Sequence, residues 1–554
     1  LMTSFNQPTY DRSMPSANNA RFGGTKALYA DCSENVVFIG NYTDAEPDGA
    51  NGESNGQRLI VTNEDISPGN LPGTLATYPP WAAAAATDAS KNYPMVLQSN
   101  RRDLSFNFFG IAQSKQFDGN DFIPLAFERG ASLVVTDSEN KYASNVIYFK
   151  DLKQYIGIFA SRFFGSPSLA LKTICITGTN GKTTAVETFS SLCNLLGDKC
   201  AYMSTINFSK DGSSLEKSSL TTPDAISIHR NLYSAKQNDA KYLALEASSH
   251  GLEQERLNGV DIDYAVLTSF SHDHLDYHGD INTYQSAKEK LFLDLNPQRN
   301  IICIDSSFGK KLYEDLVKKN PHTYSVSIKH RADFQASFEE SPAGIKVHLK
   351  TINKDLSFEL KTISKYLASN IICSIAILSL EGFNHSLIEE YAQNIDLPSG
   401  RLEKISKGDL VVYVDYAHTP DALQSSLEEI KRHHHEPLWC VFGCGGDRDK
   451  EKRPLMGAVA QDYSDHIVVT NDNPRTENQM QIINDILSGM NGNDNVLIET
   501  DRKKAIQSTI AEIKDNKSGG VVLIAGKGHE NYQEIDGHFF EFNDKQIVQS
   551  SMDQ

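Results

Sequence analysis

The sequence predicts an α/β protein built from parallel sheets flanked by helices. Two observations lead there. Apolar runs of strand length at 172–177, 242–247, 264–269 and 301–304 alternate with helical segments, and the same rhythm returns at 410–414, 438–442, 467–470 and 521–525. Strands separated by helix-length connections argue for parallel sheets covered on both faces. The runs of the second series also end in polar loops rich in Gly, Asp, Asn and Arg. In open α/β sheets, ligands collect at such carboxyl ends.

Taken in order, residues 1–95 are rich in Asn, Gly, Ser, Thr and Pro, broken only by short apolar stretches at 36–39 and 59–62. This is expected to be a polar extension or a small strand-rich appendage. A small α/β unit follows over 96–168: a strand at 106–112, a turn at Asp118-Gly119, a helix over 121–129 and a strand at 132–136. A central domain is expected over 169–396. A break at 397–400, Leu-Pro-Ser-Gly, opens a third α/β domain running to 554.

The formal net charge of −18 disfavours nucleic acid and anionic membrane as partners unless a local basic patch overrides it. No apolar run reaches the ~20 residues of a membrane span, and the first residues lack the layout of a signal peptide. The eight cysteines are scattered, and none forms a CxxC pair. A cytoplasmic protein with buried free thiols is expected.

The most informative segment is Thr177-Gly178-Thr179-Asn180-Gly181-Lys182-Thr183-Thr184, which follows a strand and opens a helix. Glycines let backbone N–H groups turn inward around phosphate oxygens, and the helix start adds positive potential. Lys182 supplies a mobile charge, and Thr183 can reach Mg²⁺. The usual phosphate-loop spacing would put a glycine at Ile176. Gly178 makes this a shorter variant.

Other polar clusters stand at strand ends. Glu246 opens Glu-Ala-Ser-Ser-His-Gly, and a carboxylate there suits Mg²⁺. The run Ser271-His272-Asp273-His274-Leu275-Asp276-Tyr277-His278 is dense in His and Asp. Its adjacent ligands and lack of cysteine argue against zinc. By residue type alone, Lys288 reads as a solvent-facing helix lysine, and Asn370 as a polar residue at a helix start.

The phosphate loop resembles that of the Mur ligase superfamily, and residues 96–549 are similar to its diaminopimelate-adding branch. The resemblance implies three domains: a UDP-substrate domain, a central P-loop ATPase and a Rossmann-like C-terminal domain. It implies an ATP- and Mg²⁺-dependent ligase that adds meso-diaminopimelate to UDP-MurNAc-L-Ala-D-Glu in peptidoglycan precursor synthesis, most simply as a monomer. Lys182, Glu246, His274, Lys288 and Arg401 would serve phosphoryl transfer. Thr183, Glu246, His274 and Lys288, the last as a carbamate, would hold the metal. Residues 178–184 with Asn370, Arg401 and Asp415 would bind ATP. Asn100, Thr221, Thr222, Ser248, Gln254 and Arg256 would contact the UDP-muramoyl-dipeptide. Ser269 stands where the family usually has Asn. His250 is a guess for the acceptor of the amine proton.

In the last domain, Arg448, Asp472-Asn473-Pro474-Arg475 and Gly526 with Glu530 lie on three separate loops. A substrate carrying two amino-acid heads needs cationic and anionic partners. Arg448 and Arg475 suit its carboxylate, and Glu530 with the Gly526 carbonyl suits its ammonium. In the family, Asn-Pro-Arg at this place goes with diaminopimelate rather than lysine. Two other readings share parts of this pattern: a folylpolyglutamate-synthetase-like ligase, and a non-catalytic scaffold that kept the fold.

Overall fold

The computed structural model describes residues 152–553 except 213–215, 218–219, 272, 342–343, 493–494 and 516–519; before 152 it describes 21–22, 25–26, 36–38, 42–44, 55–62, 95–98, 107–113, 123–128, 133–136 and 146–149. The chain divides into two compact units. One comprises 1–174, 199–263 and 293–297; the other comprises 175–198, 264–292 and 298–554.

In the first unit, Val36–Phe38, Leu133–Thr136 and Val146–Tyr148 form a parallel three-stranded sheet. Tyr42–Asp44, Asn55–Thr62, Asn107–Gln113 and Met95–Gln98 form an antiparallel one, in that order. Strands that precede residue 96 thus pair with strands that follow it. The helix Leu152–Phe163 buries Ile156, Phe159 and Phe163 in a cluster with Val135, Ala225 and Ile226. Glu216–Lys217, Asn207–Ser209, Cys200–Met203 and Tyr242–Glu246 lie side by side, the last two parallel. The helix Ala225–Gln237 starts where Asp224 accepts the Ile226 and Ser227 amides, both at 3.0 Å.

In the second unit, Tyr264–Leu267, Arg299–Cys303, Thr323–Ser327 and Phe334–Ser341 run parallel. Gly344–Lys350 and Leu356–Leu360 extend them antiparallel. The helix Lys182–Leu195 packs on the largely buried helix Lys365–Leu380, and Ser374 Oγ donates to the Ala185 carbonyl at 2.7 Å. The C-terminal sheet has the order Glu403–Lys407, Leu410–Asp415, Val521–Ala525, Leu438–Phe442, His466–Val469, Val496–Ile498. Only its first pair is antiparallel. One face packs Leu423, Leu427 and Ile483; the other packs Trp439, Ile506 and Val548. The α/β class is as expected, and 172–177, 438–442 and 521–525 match strands to the residue.

Candidate active site

The strand Lys172–Thr177 delivers the chain into the phosphate loop. Gly178 has φ +156°, and a Cβ there would meet Thr268 Oγ1 at 2.0 Å; Gly181 has φ +87°, and its Cβ would meet Asn370 Oδ1 at 2.1 Å. Both positions require glycine. The second places Asn370 against the start of the Lys182–Leu195 helix. Ser269 Oγ accepts the Asn180 amide and donates to the Asn180 carbonyl, each at 2.9 Å. A serine here therefore clamps the loop from both sides. Thr179 is fixed by Ser269 O at 3.1 Å, the Ser271 amide at 3.0 Å and the Tyr284 hydroxyl at 3.0 Å.

Two lysines meet on this loop. Lys182 Nζ donates to Gly178 O at 3.0 Å and Thr179 O at 3.1 Å, and Lys288 Nζ donates to the same Gly178 O at 3.0 Å. Lys288 is buried, with its amine 4.6 Å from the Tyr284 ring centre. The solvent-facing position suggested by its residue type is thus not what the helix Ile281–Leu293 presents. Burial, with the Lys182 charge beside it, holds this amine well below the usual lysine range, against the pull of Asp273. Asp273 is itself buried, 3.4 Å from His274 Nε2 and 3.9 Å from His418 Nε2. Burial opposes its ionisation, but His274, Lys452 and His418 hold it below the usual carboxylate range.

Arg401 reaches the loop from the hinge. Its guanidinium lies 4.6 Å from the Tyr416 ring centre, and Nη2 is 3.4 Å from Thr183 Oγ1. Asp415 fixes that hinge. It accepts the Leu402 amide at 3.0 Å, the Tyr416 amide at 2.9 Å and the Ser426 hydroxyl at 2.6 Å. A cavity of about 300 Å³ is lined by Asn180, Gly181, Thr184, Asn370, Arg401 and Asp415, together with Asp305, Lys329, Tyr416 and Glu429. Predicted nucleotide-side residues from both sides of the break at 397–400 thus converge in one unit.

In the other unit, the strand Tyr242–Glu246 carries Glu246 at its carboxyl end. Its Oε1 accepts the Thr205 amide at 2.7 Å and lies 3.1 Å from the Thr205 hydroxyl. The residues expected to hold the sugar-peptide gather beside it. Thr222 Oγ1 donates to the Glu246 carbonyl at 2.8 Å and accepts the Ser248 amide at 2.8 Å. Arg256, fully buried, bonds Gln254 Oε1 through Nε at 3.0 Å and Nη2 at 2.7 Å, and Nη1 donates to the Thr222 carbonyl. Thr221 Oγ1 is 3.2 Å from Thr205 Oγ1. Asn100 lies outside the described residues.

The three C-terminal loops also meet. A Cβ on Gly445 would lie 2.9 Å from Arg475 Nη1 and 3.6 Å from Arg448 Cγ, so both arginines pack around one glycine. Arg475 Nη1 donates to Gly446 O at 2.8 Å. Asn473 is a hub: its Oδ1 accepts Lys527 Nζ at 2.9 Å and the Glu534 amide at 3.0 Å, and its Nδ2 donates to Glu530 Oε2 at 2.9 Å. Lys527 also pairs with Glu530 at 2.7 Å. A Cβ on Gly526 would meet Asp472 Oδ2 at 2.5 Å. Burial works against ionisation of Asp472, but Lys527, Arg502 and Arg475 keep its carboxyl low.

Sequence reasoning missed Thr205, Tyr284, Lys527 and Glu534. Lys527, inside Gly-Lys-Gly-His-Glu, and Tyr284, four residues before Lys288, stood in segments that carried a local signal.

Residues 176–378 match the Mur ligase middle domain, and residues 400–528 match the Mur ligase, glutamate ligase domain. The chain is 38% identical over 467 residues to the UDP-N-acetylmuramoyl-L-alanyl-D-glutamate–2,6-diaminopimelate ligase of Neisseria meningitidis serogroup A, covering 82% of this chain and 94% of the relative. It is 37% identical over 455 residues to the protein of that name from Aquifex aeolicus, covering 82% and 92%. A solved structure of a ligase of that name shares 33% identity with a TM-score of 0.57, over 78% of this chain and 89% of that one. The Thermotoga maritima MurF ligase, solved in complex with ADP, shares the fold at 15% identity and a TM-score of 0.57, over 80% and 93%. Identity at this level, across nearly the whole length of the relatives, shows that the chain belongs to the Mur ligase family.

Proposed function

We propose that this chain is an ATP-dependent ligase of peptidoglycan precursor synthesis, joining meso-diaminopimelate to UDP-MurNAc-L-Ala-D-Glu. The observation that carries the amino-acid assignment is the packing of Arg448 and Arg475 around Gly445, beside Asn473 and Glu530. Two guanidiniums suit a carboxylate, and the nearby carboxylates suit an ammonium. Lysine lacks the distal carboxylate and would leave a buried arginine poorly matched. The relatives at 37–38% identity carry the name of this activity.

The chemistry runs in two steps. The D-glutamate side-chain carboxylate attacks the γ-phosphorus of ATP, forming an acyl phosphate and releasing ADP. The diaminopimelate amine then attacks the acyl carbon and expels phosphate, forming the amide. Lys182, now resting on the Gly178 and Thr179 carbonyls, is free to turn its three donors to the γ-phosphate. Arg401, held beside Thr183, neutralises charge that grows on the same group. Residues 178–184, Asn370 and Asp415 complete the ATP side. Thr221, Thr222, Ser248, Gln254 and Arg256 position the muramoyl-peptide, and Asn100 is assigned to it by resemblance alone. His250 remains the proposed acceptor of the amine proton.

By resemblance, the Thr183 hydroxyl, the Glu246 carboxylate, His274 and Lys288 as a carbamate would each be ligands of Mg²⁺, and their mainly oxygen donors are of the kind that ion takes. The lowered Lys288 amine has the neutral character that carbamate formation with CO₂ requires. When bound, the ion would offset phosphate charge. We further assign residues 96–168 to UDP-substrate binding, 169–396 to ATP and 397–554 to the amino acid. The protein is proposed to act as a cytoplasmic monomer, without nucleic-acid or membrane partners. Among the described residues no helix is long and apolar enough to cross a membrane.

Phosphate release is the direct assay. It should require ATP, UDP-MurNAc-L-Ala-D-Glu and meso-diaminopimelate together, with UDP-MurNAc-tripeptide appearing by mass. Release driven by a folate acceptor instead, or by no amine, would contradict the proposal.

A further inference from the structure

The hairpin strand Tyr532–Ile535 brings a second carboxylate to the amino-acid loops. Glu534 is almost fully buried, and its Oε2 lies 3.2 Å from Arg475 Nε. The backbones are tied as well. Arg475 N–H donates to Glu534 O at 3.1 Å, Asp536 N–H donates to Arg475 O at 2.8 Å, and the Glu534 amide is held by Asn473 Oδ1. Glu534 is therefore fixed against the Asn-Pro-Arg loop.

Its other oxygen is the unusual one. Glu534 Oε1 is buried and has no hydrogen-bond partner among the described residues. An unsatisfied buried carboxylate oxygen is costly unless a donor arrives. Both guanidiniums nearby suit the carboxylate of an amino-acid head, so the donor still missing is that head's ammonium. Glu530 already shares its Oε2 with Lys527 at 2.7 Å and Asn473 at 2.9 Å, so Glu534 would give the ammonium a second carboxylate beside it. Burial raises the Glu534 carboxyl above the usual range, while Arg475 and Arg448 pull it down, so an incoming cation would favour the ionised form.

We propose that Glu534 is a specificity-determining residue that accepts the distal ammonium of diaminopimelate through Oε1 while Oε2 holds Arg475. This rests on the functional reading above and adds to it a reader for the distal amino group.

The test uses the full chain with saturating ATP and UDP-MurNAc-L-Ala-D-Glu. It compares meso-diaminopimelate with 2-aminopimelate, which keeps the distal carboxylate and lacks the distal amine. Wild type should prefer diaminopimelate by about tenfold or more in kcat/KM, the value of one charged hydrogen bond. Glu534→Gln should reduce that preference to about twofold or less. An unchanged preference, or equal losses on both amines, would overturn the proposal and leave Glu534 only as a support for Arg475. Should Glu534→Gln show no cooperative unfolding, Glu534→Asp keeps the charge one methylene short. Its preference should fall at least about threefold, and an unaltered value overturns the proposal. If wild type releases no phosphate with diaminopimelate, the functional reading itself fails, an outcome distinct from a variant that works without discrimination.

Discussion

The Gly178 carbonyl oxygen receives two amines, Lys182 and Lys288, each at 3.0 Å. Burial, reinforced by repulsion from the Lys182 charge, holds the deeper amine well below the usual lysine range. The direction sets a pH dependence. Because the Lys288 value is lowered, its neutral form, and with it any carbamate, persists to lower pH than on an ordinary lysine. It is lost as pH falls through the lowered value. Activity of bicarbonate-depleted enzyme should recover when bicarbonate is added, and Lys288→Arg should lose on the order of 10²-fold or more in kcat with no recovery; ¹³C NMR of the labelled carbamate checks the same point. Arg475→Ala should raise KM for diaminopimelate on the order of 10²-fold while changing kcat less than about threefold. At this scale the sequence was partly legible. The phosphate loop, Glu246 and the arginines are marked by neighbouring residues. Lys288 is not, because a mixed helix such as Ile281–Leu293 does not declare which side it buries. Glu534 is not, because the arginine that gives it meaning lies on a different loop.

The helix Pro420–His433 meets the helix Lys365–Leu380 through one carboxylate. Glu429 accepts the Lys365 amide at 2.6 Å and the Tyr366 amide at 3.4 Å, adding to the Ser364 cap. Burial dominates and pushes this carboxyl up to about 7, against the pull of the Ser364, Lys365 and Tyr366 groups. A carboxyl whose folded value is raised binds more protons folded than unfolded, so stability falls as pH rises from about 4.5 to about 7. Glu429→Gln should therefore raise stability at pH 8 relative to wild type by up to about 1–3 kcal/mol, and with it the thermal midpoint, and change little at pH 4.5; scanning calorimetry at the two pH values checks the sign. Gly181→Ala forces a side chain into φ +87° against Asn370, and should cost about 1–3 kcal/mol and weaken ATP binding, measurable by thermal shift with and without nucleotide. Strands buried on both faces announce themselves as continuous apolar runs. Gly344–Lys350 does not, because its buried Ile345, Val347 and Leu349 alternate with half-exposed Lys346 and His348. Its two-residue period, and not a continuous apolar run, is the strand signal there.

At the scale of the chain, the alternation of strands and helices was enough for the α/β class and for a break near 400. The N-terminal pairing was not. Val36–Phe38 joins Leu133–Val135, and Asn55–Thr62 joins Asn107–Gln113, and local composition carries no information about such distant partners. With a net charge of −18, anionic substrates need focused cationic groups, the part proposed for Lys182, Arg401, Arg448 and Arg475. The proposed selectivity rests on the loops around Gly445, which would choose the amine that the activated glutamate receives. Single-turnover ligation with equal meso-diaminopimelate and lysine tests it most directly. The account predicts that wild type consumes diaminopimelate at least about 10²-fold faster and that Arg475→Ala erases most of that preference. Equal consumption of the two amines by wild type, or an undiminished preference in Arg475→Ala, would contradict it.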